Sequence, residues 1–471
     1  MIKKSTINDE KDHLVILSTN IEKIKGYGLS KEQIGFIASE AKHDKKIIQL
    51  NCLNRFVFVV SVDNKKEGYK RKEQLRRAAS TINATLNNHQ LKSVSIIAET
   101  RHEDDALAFA EGLLLSNYQF IQYKTKQKKN SLSTVIVDSS VSKTKIDELN
   151  CIVEAVYESR NLVNEPANKL NAVDLANRFK KMASKSGFSI NIFDKKKITA
   201  LKMGGLLAVN KGSVDPPTFS IMEYKPKNAK NKKPYVLVGK GITYDTGGLS
   251  LKPTPGSMDL MKCDMAGSAA VAGAMYAIAK AKLNVHVIAL VPATDNRPGF
   301  NAFAPGDIIT MYDGTTIEML NSDAEGRMIL ADALAYAKKY KPELLIDLAT
   351  LTGAAANAIG PQGIVSMGTA DEKVHQKLKE CGNETYERLA EFPFWDEYDD
   401  LMKSDIADMK NIGGPVAGAI TAGKFLAKFT DYPYIHLDIA GPAFITSSNH
   451  YQTKGATGVG VRLLFDFFKN V

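Results

Sequence analysis

The run Asn321-Ser322-Asp323-Ala324-Glu325-Gly326-Arg327 sets two carboxylates and a guanidinium between a strand-like run, 315–320, and a helical run, 328–340. In open α/β sheets, sites form where strands hand over to helices at their carboxyl ends. Asp323 and Glu325 lie two apart, so an extended chain would set them on one face. A second cluster lies upstream. After the apolar run 235–239 come Lys240, Asp245 and Lys252 with glycines between them, and Asp264 precedes a small-residue helical run, 266–280. Four carboxylates converging on one site repel strongly unless cations neutralise them. That need points to bound metal. Carboxylate-rich sites suit hard or borderline divalent ions such as Mn2+ or Zn2+, and two ions would balance four carboxylates in an arrangement used for hydrolysis.

Structural roles compete for the same residues. Ser322-x-x-Glu325 fits a helix capping box, and Asn321 or Asp323 fits an N-cap. Asp264 likewise stands where a cap would. The glycine-rich stretch 239–248 invites a phosphate-loop reading, but the order fails. A phosphate loop needs Lys then Ser or Thr after the glycines, and here Lys240 precedes them.

The elements that must position these groups follow from periodicity. A chain of 471 residues suggests two or three domains at roughly 150 residues each. Strand-like runs at 14–17, 56–60, 94–97 and 135–137 alternate with amphipathic helical runs at 70–86 and 104–115, which predicts an α/β domain over 1–144. A helical run from 145 leads into Asn164-Glu165-Pro166, where proline should end it, so 145–170 reads as a linker helix and connection. The rest, 171–471, repeats the rhythm: strands at 189–193, 235–239, 285–292, 344–348 and 434–441, and a Lys/Asn-rich break at 222–234. Continuous apolar strands typify a parallel sheet buried on both faces. The expectation is an α/β fold of two domains, the larger C-terminal one built on a central mixed sheet flanked by helices.

Composition narrows the function. The formal charge is +10, and residues 1–150 hold 25 Lys/Arg against 18 Asp/Glu. Such a bias attracts nucleic acid or simply solvates a face. The four cysteines, Cys52, Cys151, Cys263 and Cys381, form no CxxC, which argues against a disulfide framework or a zinc–thiolate site. Cys263, beside Asp264, reads as a small buried thiol. Met1-Ile2-Lys3-Lys4 lacks the apolar run of a signal peptide, and no stretch is long and apolar enough for a spanning helix; the expected compartment is a reducing cytoplasm. His13, His43, His89 and His102 are scattered singly, and His286 and His436 fall in strand-like runs. Trp395 reads as packing or as the lining of a channel or interface.

These residues resemble a known family, the leucyl aminopeptidases or cytosol aminopeptidases. The stretch 321–327 departs from that family's usual N-T-D-A-E-G-R only at Ser322. Gly239 to Gly248 is similar to its metal-site strand and turn, and Asp264-Met265-Ala266-Gly267 to its helix start. Arg160 to Asn168, Ala349 to Gly353 and Leu437 to Gly441 extend the resemblance, which is weaker in the N-terminal part. It implies that Lys240, Asp245, Asp264 and Glu325 bind one metal ion, and Asp245, Asp323 and Glu325 the other. Lys240 would then be a neutral amine, its pKa depressed by burial and the dication. It further implies that Lys252 polarises the scissile carbonyl, that Arg327 holds a bicarbonate proton shuttle, and that Met261, Thr350 and Gly353 line the pocket for the first side chain. The loop 253–257 is longer than in the commonest members, which bears on the substrate mouth and removes no ligand. The implied protein releases N-terminal amino acids, Leu-like ones preferred but broadly, from short peptides, and assembles as a homohexamer. Some family members also act on DNA; the basic N-terminal part is the only feature here for that alternative. A metallo-phosphoesterase is a third reading, disfavoured because no histidine lies in the cluster.

Overall fold

The computed structural model describes residues 1–471 other than 67, 101 and 139. Its chain divides into two compact units, Met1–Glu154 with Ser447–Lys454, and Ala155–Thr446 with Gly455–Val471. The division falls inside the helix Lys143–Asn164, which stops short of Pro166 as the restriction on pre-proline residues requires. That 447–454 groups with the first unit has no signature in local pattern.

The first unit is built on a six-stranded sheet in the order Ile2–Lys4, Thr134–Val137, Ser93–Ala98, Leu14–Ser18, Phe56–Ser61, Ile47–Asn51. Only the last strand runs antiparallel to its neighbour. Leu14 to Leu17 are fully buried in its centre. The helices Gly68–Asn88 and Glu103–Ser116 are joined by the buried pairs Arg71–Asp105 at 3.0 Å and Arg76–Glu111 at 2.6 Å. A Cβ on Gly112 would meet the Arg76 carbonyl oxygen at 2.3 Å, so glycine there permits the close helix approach.

The second unit carries a mixed sheet in the order Leu389–Glu391, Ile364–Gly368, Tyr434–Asp438, Leu344–Ala349, Tyr235–Gly239, Val287–Asn296, Thr218–Tyr224, Ser189–Phe193. Its four central strands are parallel. The helix Ala266–Lys280 covers the central strands together with Ala172–Ser186 and Val461–Lys469, and Ala266 to Ala279 are all buried. Gly326–Ala337, Gly204–Asn210 and Gly418–Ala427 form a second helical layer whose apolar residues share a core with Val236, Val238, Ile288, Leu290 and Leu345. The two-domain α/β class and the flanked mixed sheet are as the sequence implied.

Of the strand limits that differ from the apolar pattern, two bear on the site. The run expected at 285–292 is a strand from Val287 to Asn296. Its polar end is invisible to periodicity, because Gly241–Asp245 pairs alongside it and sets Asp245 opposite Asn296. Met222 to Tyr224, read as part of a break, complete the strand Thr218–Tyr224, which runs antiparallel to Val287–Asn296. The pairing of Gly241–Asp245 also opens the site. Up to Gly239 the chain lies between Leu344–Ala349 and Val287–Asn296; Lys240 makes the last bond to the former, its N–H donating to Leu348 O at 3.1 Å. Beyond it the chain follows Val287–Asn296, and a crevice starts at the carboxyl ends of the parallel strands.

Candidate metal centre

The cap readings fail first. The helix Gly326–Ala337 starts without a side-chain cap bond, and Ala266–Lys280 does too. The stretch before Gly326 is a turn rather than extended chain: Ala324 N–H donates to Asn321 O at 3.1 Å and Asp323 N–H to Asn321 Oδ1 at 2.8 Å. Ser322 is buried; its hydroxyl donates to Gly247 O at 2.6 Å and accepts from Ser250 N–H at 2.7 Å. The serine thus ties the acidic turn to the lysine loop, and the carboxylates stay free for other work.

Those carboxylates meet the two lysines. Lys240 Nζ lies 2.9 Å from Asp264 Oδ2 and 3.0 Å from Glu325 Oε1, and donates to Thr350 O at 3.0 Å. Lys252 Nζ lies 2.8 Å from Asp245 Oδ2 and also pairs with Asp323. Oxygens of Asp245, Asp323 and Glu325 fall within 4.8 Å of one another, close enough to share one ion. Gly326 makes the packing possible, since a Cβ there would meet Lys240 Cε at 2.4 Å and Nζ at 2.6 Å.

The donor set fits divalent cations. Asp264 Oδ2, Asp323 Oδ1 and Glu325 Oε1 face a lysine at ion-pair distance without a satisfied hydrogen bond, and Glu325 Oε2 has no hydrogen-bond partner among the described residues. Buried polar atoms are rarely left so. Burial pushes Glu325 up to about 8, with Asp245 adding to the rise and Lys240 opposing it. Burial also lifts Asp264 to about 7 against the pull of Lys240. Both carboxylates therefore need more positive charge than the lysines deliver. Lys240 itself departs from the implied depression. Burial does lower it, but Asp264, Glu325 and Asp245 outweigh burial and hold its ammonium above the ordinary range. Only added positive charge among these acids would reverse that balance.

The remaining residues are placed unevenly. Thr350 joins the cluster through its carbonyl and through its hydroxyl, which donates to Asp264 Oδ1 at 2.9 Å. Met261 meets it through the backbone, its carbonyl accepting from Asp264 N–H at 3.2 Å. Gly353 opens the helix Gly353–Ile359 with nothing within 4 Å of where a Cβ would stand. Arg327 is buried, and its Nη1 donates to Asn411 O at 2.6 Å while Nε has no partner among the described residues. Burial pulls its pKa down to about 10, against Glu325 and Asp438.

Similarity to known proteins agrees with this geometry. Residues 158–465 match the cytosol aminopeptidase family, catalytic domain. The chain belongs to the cytosol aminopeptidase family. It is accordingly a metal-dependent aminopeptidase, a hydrolase. It is 47% identical over 389 residues to a probable cytosol aminopeptidase of Chlorobaculum tepidum, covering 79% of this chain and 76% of that one. A probable cytosol aminopeptidase of Geotalea uraniireducens is 40% identical over 470 residues, covering 96% of this chain and 93% of its own. Among solved structures, a mutant of tomato leucine aminopeptidase superposes with a TM-score of 0.87 at 29% identity, over 100% of this chain and 96% of the other. The bottromycin maturation enzyme BotP in complex with Mn gives a TM-score of 0.86 at 28% identity, over 98% and 99%.

Three residues to which the sequence reading gave no role stand around the cluster of this aminopeptidase. Asn296 Nδ2 donates to Asp245 Oδ1 and to Ser322 O, at 2.8 and 2.9 Å, and so joins the two clusters. Asn411 Oδ1 accepts from Leu320 N–H at 2.8 Å while its Nδ2 donates to Asn321 O at 2.8 Å, so it holds the acidic turn from both sides. Asp438 accepts from the Thr352 hydroxyl at 2.7 Å. A polar residue closing an otherwise apolar strand, as Asn296 and Asp438 do, is the signal that could have found two of them.

Proposed function

We propose that the chain releases N-terminal amino acids from short peptides, taking Leu-like residues preferentially within a broad range, with two divalent ions per subunit. Lys240, Asp245, Asp264 and Glu325 would hold one ion and Asp245, Asp323 and Glu325 the other. The observation that carries this reading is the set of buried, under-bonded carboxylate oxygens of Asp264, Asp323 and Glu325 converging beside two lysines. When bound, divalent ions supply Lewis acidity and a water acidified toward neutral pH; Mn2+ and Zn2+ suit the donors.

The protein groups divide the other tasks. Lys252 is partly buried, its side chain 15% exposed, and its ammonium would donate to the scissile carbonyl oxygen as negative charge grows there. Carboxylates of Asp245 and Asp323 hold that ammonium above its ordinary pKa, against burial, so it stays a donor. Arg327, with a free Nε–H, would hold bicarbonate as the proton carrier between water and leaving amine. The corner from Thr350 to Gly353 and Met261 would border the pocket for the first side chain. No disulfide joins the four cysteines among the described residues, in keeping with the reducing cytoplasm of this reading, and no helix among the described residues is long and apolar enough to cross a membrane. Assembly as a homohexamer is part of the reading; Val214 and Phe300, fully exposed on the catalytic unit, are apolar surface that assembly would cover.

Hydrolysis of leucine-p-nitroanilide by metal-stripped protein, with Mn2+ or Zn2+ added back, tests the reading. Activity should return with metal and be absent in Asp323→Ala. A folded protein that cleaves no aminoacyl anilide with either ion would overturn it.

A further inference from the structure

We propose that Asp438 is a positioning residue for the Lys240–Asp264 half of the metal centre, acting through the corner Thr350-Leu351-Thr352. The inference rests on the two-ion reading above. Asp438 ends the strand Tyr434–Asp438 and pairs in register with Ala349, the last residue of the neighbouring parallel strand. It is 1% exposed and touches no ligand of the proposed site. Each of its oxygens accepts from the chain that leaves Ala349, and Oδ1 also from Ala440. Oδ1 accepts from Leu351 N–H and Ala440 N–H, each at 3.1 Å, and Oδ2 accepts from the Thr352 hydroxyl at 2.7 Å. The Thr352 oxygen in turn accepts from Ala355 N–H at 3.0 Å and caps the helix Gly353–Ile359.

The same corner faces the ions with its first residue. The Thr350 carbonyl accepts a hydrogen bond from Lys240 Nζ, and its hydroxyl donates one to Asp264 Oδ1. Residues 351 and 352 are therefore fastened to Asp438, and residue 350 fastens two of the four donors of one ion. Groups that orient ligands from behind set metal affinity almost as strongly as the ligands do. The other half of the centre has separate supports: Asp245 Oδ1 accepts from Gly247 N–H and Asn296 Nδ2, both at 2.8 Å. Loss of Asp438 should therefore weaken one ion and spare the other.

A carboxylate is required because three donors must be met by acceptors alone. In Asp438→Asn one oxygen becomes an NH2, which cannot accept the hydrogen that the Thr352 hydroxyl donates. Thr352→Val removes the same bond from the other side, and Thr352→Ser retains it. Metal-free wild type and the three variants would be titrated with Mn2+ against a chromophoric chelator, and the melting temperature of each metal-free protein recorded. Wild type and Thr352→Ser should bind two ions alike. Asp438→Asn and Thr352→Val should bind one of them about 10–100-fold more weakly, with the second affinity unchanged. Equal affinity for both ions in the variants, or equal weakening of both, would overturn the inference. Should Asp438→Asn not fold, the contrast between Thr352→Val and Thr352→Ser decides alone. A wild type that binds a single ion overturns the two-ion reading, and this inference with it.

Discussion

At the scale of residues, the centre is a charge problem solved incompletely by the chain. Two lysines face four carboxylates, and Asp264, Asp323 and Glu325 still sit above their usual pKa because burial outweighs the ammonium groups. Lys252 is the member with a task outside that balance. Lys252→Met should lower kcat by about 10²–10³-fold, the range for removing one oxyanion donor, with KM nearly unchanged. Steady-state kinetics on leucine-p-nitroanilide would show this, and a variant that changed KM alone would assign the lysine to ground-state binding. His436 poses a second charge problem, behind the site. It is fully buried, and its Nδ1 stands 2.9 Å from Asp347 Oδ1. Burial lowers its pKa, but Asp347 and Asp438 outweigh burial and Arg327 together, so the net shift is upward. A folded pKa above the unfolded value contributes stability below about pH 6.5 that is lost as pH rises through the folded pKa. The difference in melting temperature between wild type and His436→Gln should accordingly narrow from pH 6 to pH 9. A constant difference would mean that the imidazole acts without its charge.

At the scale of elements, the site depends on close approach. The helix Gly326–Ala337 begins against the Lys240 side chain, and only glycine leaves room for it. In Gly326→Ala the new methyl would strike the flexible end of a lysine rather than backbone. The helix should persist, since alanine is the better helix former, while the ammonium is displaced from Asp264 and Glu325. Circular dichroism should be unchanged and Mn2+ affinity and kcat should fall at least tenfold, as for loss of a group orienting the ligands. A variant with wild-type metal affinity would show that Lys240 is dispensable to the ions.

At the scale of the molecule, ion binding should couple to stability. A ligand that binds only the folded state stabilises it by about 2.7 kcal/mol at a hundredfold excess over Kd. Mn2+ should therefore raise the melting temperature of the metal-free protein, and Asp245→Asn, lacking the carboxylate proposed to bridge the ions, should lose most of that rise. Calorimetric scans with and without ion decide this. Light scattering on the same samples should give six chain masses for the proposed hexamer; a monomer mass would remove the assembly from the reading.

The chemistry was legible in the chain because it is written locally. Lysines and acids spaced along 240–264 and 321–327, at junctions of strand and helix, carry their meaning within a few residues, and the alternation of apolar runs announces an α/β fold. What the spacing could not carry are bonds between distant parts. Thr350 meets Asp264 across 86 residues, Asn411 meets Leu320 across 91, and Thr352 meets Asp438 across 86. Such pairs leave no period in the sequence, because the register of parallel strands decides them. Sequence therefore pointed to the groups proposed for the chemistry. The tertiary structure decided that Ser322 and Asp264 are not caps, that Lys240 stands between Asp264 and Glu325, and that Asn296, Asn411 and Asp438 stand behind the site.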